Sequence, residues 1–295
     1  NALAPGDTNI TFTADYIAYH AALHPADVAI IENGTKITFA QMHQDLGRFL
    51  RAARAFELEV GNRVAIEWTS LYHHWLLVLS FETLGAVTFS FAKSEIADLR
   101  SVLASVDLII GTEDALQIGA HRSQQITQQW IDEVLALEPE NDFRPPQLGP
   151  DSPTRLHCSS GTTGDMKSMI RTMRVNEYRI LQYQEKEGYS RHSRYVLCLP
   201  FSVHAVFGRA TACIRMGGTC IYDANNLIQA LSNYGATHIA LLPNHLATIL
   251  SLLPENFVKP KQLTVSTFGA AVTDRLRARA LQDLAADLIE SYGAN

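Results

Sequence analysis

The chain has 295 residues, 47% of them hydrophobic and 18% charged, with a formal net charge of -6 at pH 7. That length allows one large domain or two smaller ones, with ample apolar material for a core. The acidic balance argues against nucleic acid or an anionic membrane as the main partner, so an anionic ligand needs a local site rich in donors.

Among the cysteines, Cys158, Cys198, Cys213 and Cys220, no two lie at C-x-x-C spacing, which removes the usual zinc and redox-pair signals. Their apolar or small neighbours suit reduced, buried thiols and a cytoplasmic location. The longest apolar stretch, Trp75 to Phe91, is broken by Glu82 and is too short and polar to span a bilayer. No secretory signal is visible.

From the N-terminus, Val28–Ile31 and Lys36–Thr38 are expected to pair as a hairpin around the turn signal Asn33–Gly34. Phe39 to Phe56 carries helical apolar spacing, and Arg63–Glu67 reads as a strand. Helix Leu71–Thr83, strand Ala86–Phe89, helix Glu95–Ser105 and strand Leu108–Ile110 continue a run of βαβ units. Pro139 to Pro153 then holds five of the eleven prolines, so it forms no regular element and is the expected subdomain boundary. Beyond it, strands are expected over Thr154–Cys158, Arg194–Cys198, Thr219–Tyr222, His238–Leu241, Leu263–Thr267 and Asp287–Glu290. Helices are expected between them over Asn176–Gly188, Asn225–Tyr234, Asn244–Leu253 and Thr273–Ala285. Such alternation is the mark of layered α/β structure.

Directly after the strand ending at Cys158 comes Ser159-Ser160-Gly161-Thr162-Thr163-Gly164-Asp165-Met166-Lys167, with four hydroxyls, two glycines and a lysine. Hydroxyl and backbone N–H groups in a glycine loop can wrap phosphate oxygens while the ammonium neutralises their charge. The plain alternative is a solvated turn. A Walker loop, G-x-x-x-x-G-K-[ST], fits Gly161 to Ser168 except that Met166 stands at the second glycine, where a side chain obstructs the curl around a β-phosphate.

The same segment resembles the signature loop of the adenylate-forming superfamily, [ST]-[SG]-G-[ST]-[TS]-G-x-P-K-G, with Met166 for the usual proline and Ser168 for the usual glycine. This superfamily includes acyl-CoA synthetases, aryl-acid ligases and peptide-synthetase adenylation domains. The resemblance runs along the chain in family order. Lys36–Met42, Gly61–Ile66 and Leu84–Val87 look like its early segments. Leu199–Gly208, Gly217–Thr219, Phe268–Ala271 and Ser291–Asn295 are similar to its later ones.

The resemblance implies two packed α/β subdomains with parallel-rich sheets flanked by helices, over residues 1–145 and 146–295, the second carrying the loop. It also implies ATP-dependent, AMP-forming activation of a carboxylic acid. Magnesium would accompany the ATP, and coenzyme A or a carrier protein's phosphopantetheine would accept the acyl group. On this reading Ser159, Ser160, Gly161, Thr162, Thr163, Gly164 and Lys167 hold phosphates. Gly269, Ala270 and Ala271 approach the adenine, Tyr292 stacks on it with Gly293 and Ala294 alongside, and Asn295 stands at the α-phosphate. Phe201, His204, Phe207 and Asn244, with His245, are the acyl-pocket candidates.

Lys167 and His204 are the two candidates for a catalytic contribution. His204 has two readings, a hydrogen-bonded packing histidine or a wall of the acyl pocket; a general base is not required, because a carboxylate is already ionised. The pair His73–His74 points about 100° apart on a helix and is read as surface or packing. Arg275, Arg277 and Arg279 spread around theirs and are read as a solvated face.

The resemblance further implies that the family's magnesium-binding glutamate, hinge and C-terminal domain fall beyond Asn295, so this stretch alone is expected to bind nucleotide weakly and turn over poorly. Two alternatives stay open: a non-catalytic degenerate nucleotide-binding or interaction module, and a P-loop phosphotransferase with a defective Walker loop.

Overall fold

The computed structural model describes residues 12–141, 148–160, 166–224 and 226–291. Its first elements are α1 (Thr13–Leu23), β1 (Val28–Glu32), β2 (Thr35–Thr38), α2 (Phe39–Arg54), β3 (Arg63–Glu67) and α3 (Leu71–Thr83). Next come β4 (Val87–Phe91), α4 (Arg100–Leu103), β5 (Leu108–Gly111), α5 (Glu113–Leu116), β6 (Arg122–Gln125) and α6 (Gln128–Leu135). The paired strands β7 (Pro153–Ser160) and β8 (Met166–Thr172) lead into α7 (Met173–Glu187). Then follow β9 (Arg194–Leu197), α8 (His204–Arg215), β10 (Thr219–Tyr222), α9 (Leu227–Asn233) and β11 (His238–Leu241). The last are α10 (Pro243–Leu252), β12 (Thr264–Phe268), α11 (Asp274–Asp283) and β13 (Asp287–Ser291).

By its contacts the chain divides into two units. The first is Asn1–Ala26, Thr38–Arg179 and Pro200–His204; the second is Asp27–Ile37, Ile180–Leu199 and Ala205–Asn295. The stretch Thr38–Arg179 runs through the division expected at 145/146, because β7 and β8 extend the sheet begun by β3.

The first unit's sheet has the order β6-β5-β3-β4-β7-β8, parallel up to β7 and antiparallel at the β7–β8 edge. Strands β4 and β5 are buried along their whole length, as expected of a parallel sheet covered on both faces. One face, with Ala65, Val87, Phe89, Phe91, Ile109 and Leu156, packs on Leu99, Val102 and Leu103 around α4. Alternation along the strands puts Thr88, Ser90, Arg155 and His157 on the other face, where Arg155 meets Glu82 and Ser90 meets His74 of α3. That helix is buried almost all round, and the side-chain oxygen of Ser70 caps its start by accepting from the His73 N–H.

The second unit's sheet has the order β13-β12-β11-β9-β10-β1-β2, with parallel pairs from β13 to β1. Asn33 and Gly34, at φ 47 and 86, make the expected turn between β1 and β2. Val196, Ile221, Ile239, Leu241 and Val265 form its core with Leu231, Leu246, Leu250 and Leu284 from the helices. Two parallel-rich α/β sheets flanked by helices are therefore present as expected, and both are open among the described residues. No described helix is long and apolar enough to cross a membrane.

Some expected elements differ. The helix expected over Glu95–Ser105 is a 3-10 turn, Lys93–Glu95, followed by the short α4. Within the stretch Leu199–Gly208, α8 starts at His204. Cys213 and Cys220 are buried as expected, whereas Cys158 and Cys198 are only partly so; all four are free thiols.

Candidate functional site

Strand β7 runs straight into the signature segment, and the β7–β8 register closes with Ser159 opposite Lys167 and Ser160 opposite Met166. Residues 161–165 connect the two strands. The expectations for Gly161, Thr162, Thr163 and Gly164 lie outside the described residues, as do those for Tyr292, Gly293, Ala294 and Asn295. Of Ser159, Ser160 and Lys167 the structure describes strand membership only.

Down the same hairpin lies a buried basic cluster that sequence reading missed. Arg155 is 1% exposed and directly opposite Arg171, itself 6% exposed. A polar network fixes Arg155. Its Nη1 donates to Thr88 Oγ1 at 3.0 Å, and its Nη2 donates to Ser90 Oγ at 2.7 Å and to the Phe201 carbonyl at 3.3 Å. Thr88 in turn donates to Glu82 Oε1. Ser90 also meets His74 Nε2 at 2.8 Å, while His74 Nδ1 donates to the Glu67 carbonyl, which fixes the neutral tautomer. Burial pushes His74 down to about 3; the carbonyl bond opposes the shift and the Arg155 charge adds to it. Burial also lowers Arg155, to about 10, against the pull of Glu82, so it remains a cation at neutral pH. His74 is thus a packing residue, as expected.

Two residues beyond Arg155 on the same face, His157 stacks on His204 with ring centroids 5.2 Å apart and planes 26° apart. Both rings are buried, and neither nitrogen of His157 has a hydrogen-bond partner. Burial, then the charges of Arg171, Arg155 and Arg179, push His157 down to about 4. Burial and the same arginines hold His204 well below the ordinary imidazole value. Both are neutral at pH 7. A strand with arginine and histidine at alternate inward positions, just before a glycine loop, was the available sequence signal.

Phe201, which neighbours this cluster, is buried with its ring edge-on to Trp68 and Trp75. Burial and Glu95 push the Cys158 thiol up to about 11, so it is no thiolate nucleophile. An open surface groove of about 510 Å³, lined by Lys93, Ser94, Ile96, Ala97, Arg100 and Asp114, holds none of the sequence candidates.

In the second unit, strand order reverses between β9 and β11, and the carboxyl ends of such strands are where open α/β sheets bind ligands. Gly269, Ala270 and Ala271 follow β12 there and are exposed. Gly269 sits at φ +85, and a Cβ on it would meet Leu242 Cδ2 at 2.8 Å, so the turn needs glycine on two counts. Asn244 is exposed on the first turn of α10, its Oδ1 accepting from the His245 N–H, whereas Phe207 is buried in α8.

A second buried cation stands behind those strand ends. Arg209 Nε donates to Glu187 Oε1 at 2.7 Å, Nη1 to the Ala205 carbonyl and Nη2 to Ser291 Oγ at 3.0 Å. Its guanidinium lies over the Tyr183 ring at 4.4 Å and near Phe268 at 5.6 Å. Ser291 ends β13 and Phe268 ends β12, so this residue braces both strand ends from beneath. The arginines of α11 are largely solvated as expected, with Arg277 and Arg279 in exposed ion pairs.

The sequence profile of the AMP-binding enzyme family matches residues 17–295. The chain belongs to that family. It is 24% identical over 260 residues to 4-coumarate–CoA ligase-like 4 of Oryza sativa subsp. japonica, covering 77% of this chain and 47% of the relative. To indoleacetate–CoA ligase of Aromatoleum aromaticum it is 23% identical over 304 residues, covering 95% and 59%. The chain spans about half the length of the curated relatives it matches. The crystal structure of VinN matches it with a TM-score of 0.86 at 14% identity, over 96% of this chain and 75% of that one, a likeness of fold.

Proposed function

We propose that the protein activates a carboxylic acid with ATP. A carboxylate oxygen bonds to the α-phosphorus as the bond to the pyrophosphate oxygen breaks, giving an acyl-adenylate. A thiol, that of coenzyme A or of a carrier protein's phosphopantetheine, then bonds to the acyl carbon, AMP leaves and the thiol proton passes to solvent. The observation that carries this reading is the family match over residues 17–295, with its signature segment on a hairpin that closes at Ser160 and Met166. The relatives' names, CoA ligases for indoleacetate and of the 4-coumarate-like group, agree with it.

The first step brings two anions into line, so positioning and charge neutralisation dominate. Ser159, Ser160, Thr162 and Thr163, with the backbone of Gly161 and Gly164, would surround the β- and γ-phosphates, and Lys167 would neutralise them. The small turn Gly269–Ala270–Ala271 leaves room for the flat face of adenine, with Tyr292 stacked on it and Gly293 and Ala294 beside. Asn295 would donate to the α-phosphate. Phe201, His204, Phe207 and Asn244 would shape the acyl pocket. His204, held well below the ordinary imidazole value by burial, is a poor base, and an ionised carboxylate needs none. Among the described residues no cluster of three or more His, Cys, Asp or Glu side chains is placed to hold a metal ion, so magnesium is proposed only as the ion arriving with the nucleotide.

The test is product identity. Incubation of the whole protein with ATP and a panel of carboxylic acids should give AMP and pyrophosphate, with acid-dependent pyrophosphate exchange. Replacing Lys167 with alanine should slow that exchange by roughly a hundredfold or more. Acid-independent formation of ADP and phosphate would instead support the Walker-loop phosphotransferase.

A further inference from the structure

Phe268 and Ser291 are registered partners on β12 and β13, and at that rung both strands end. The Arg209 guanidinium reaches both: its Nη2 donates to Ser291 Oγ at 3.0 Å, and its carbon lies 5.6 Å from the centroid of the Phe268 ring. Directly after that rung the chain continues as Gly269–Ala270–Ala271 on one strand and as Tyr292 on the other. The guanidinium is itself pinned. Glu187 Oε1 accepts from Nε at 2.7 Å, Tyr189 donates to the other carboxylate oxygen at 3.0 Å, and His238 Nε2 donates to the Glu187 carbonyl at 2.8 Å. Tyr183 covers it, an approach that Gly208 permits, since a Cβ there would meet Tyr183 Cε2 at 2.7 Å. Apolar side chains of equal volume would fill this place about as stably. They would not fix Ser291, because dispersion has no direction and a hydrogen bond from a pinned donor has one.

We propose that Arg209 is a positioning residue for adenine: through Ser291 and Phe268 it sets where the chain leaves β12 and β13, and so governs affinity for the base end of the nucleotide. The inference rests on the acid-activating reading above, which puts adenine at Gly269–Ala271 and Tyr292. Without the bond to Ser291 the end of β13 samples other positions, and apparent affinity falls with the fraction of molecules that stay competent. Bound nucleotide selects the competent position, so the rate at saturation is preserved. A purely structural role does the reverse. It reduces the amount of folded protein, and hence the maximal rate, while KM stays as it was.

The deciding variant is Ser291→Ala in the whole protein, which removes the acceptor and leaves the buried pair with Glu187 in place. AMP binding, read by calorimetry, should weaken roughly fivefold. In acid-dependent pyrophosphate exchange the KM for ATP should rise as far, with kcat and the KM for the acid within about twofold of the unaltered protein. Ser291→Thr, which keeps the hydroxyl, should restore both. In Arg209→Lys, whose single nitrogen cannot span Glu187 and Ser291, adding Ser291→Ala should cost no further AMP affinity. Unchanged AMP affinity in Ser291→Ala overturns the proposal, as does a loss of kcat at unaltered KM, or no AMP binding by the unaltered protein. Weaker AMP binding in Ser291→Ala without exchange for any acid sinks the ligase reading and leaves the positioning role standing. Exchange whose KM for ATP is indifferent to Ser291→Ala sinks the positioning role and leaves the ligase.

Discussion

Two buried cationic centres, one in each unit, follow opposite rules. Around Arg209 each guanidinium nitrogen has an acceptor, the opposite charge of Glu187 lies at 2.7 Å, and Tyr183 covers the face. Burial disfavours the Arg209 charge, yet Glu187 and the neighbouring tyrosines outweigh it and hold the pKa above its ordinary value. Around His157 the charges that lower its pKa are those of Arg171, Arg155 and Arg179, and its ring nitrogens have no hydrogen-bond partner. The first centre is complete as it stands and belongs to the architecture. In the second, Glu82 stands against Arg155 and one buried imidazole, His157, is left without a hydrogen bond.

The sharpest way to break this contrast is Arg209→Leu. It leaves Glu187 buried without its counter-charge and should cost about 3–5 kcal/mol, read as a lower urea midpoint at unchanged slope. Adding Glu187→Leu should restore much of that loss; if the double variant is no better than the single, the centre is not held by charge pairing.

Acid comes next in size. His74 and His157 have folded values near 3 and 4, against about 6.5 in the unfolded chain. As pH falls below about 6.5 the unfolded chain takes up protons first, so stability is intact above that point. It then declines by up to about 1.4 kcal/mol per pH unit for each imidazole until the folded values are reached. Urea midpoints between about pH 7.5 and about pH 4.5 check the slope. The His74→Gln variant should flatten it in part, and an unchanged slope would remove His74 from the account.

A smaller loss is expected from Gly269→Ala. Its positive φ and the approach of Leu242 together predict a cost of about 1–2 kcal/mol. The variant should also raise the KM for ATP if the turn meets adenine. The smallest effect has the opposite sign. His157→Leu removes an unsatisfied buried ring and should stabilise the protein by about 1 kcal/mol. A thermal midpoint that drops as far as that of Arg209→Leu would erase the distinction between the two centres.

Much of the fold was legible from local pattern. Strand Arg63–Glu67, helix Leu71–Thr83 and strand His238–Leu241 stand where periodicity placed them. What escaped reading was set by partners. Met166–Thr172 has no clean alternation and becomes strand β8 through its pairing with β7. Glu95–Ser105 has helical spacing, yet only Arg100–Leu103 forms a regular turn of helix. His204 was legible as a special residue, but its stacking on His157 was not.

The sequence by itself determined the layered α/β alternation, the Asn33–Gly34 turn, the glycine turn at Gly269 and a family signature from Ser159 to Lys167. These depend on spacings of a few residues, which the chain carries locally as periods of two and 3.6. Only tertiary structure decided that β7 and β8 join the first sheet, that Arg155 faces Arg171, and that His204 arrives beside His157 from a distant segment. Those juxtapositions come from pairing and packing across long stretches of chain, where burial and electrostatics are settled between residues that no local period relates.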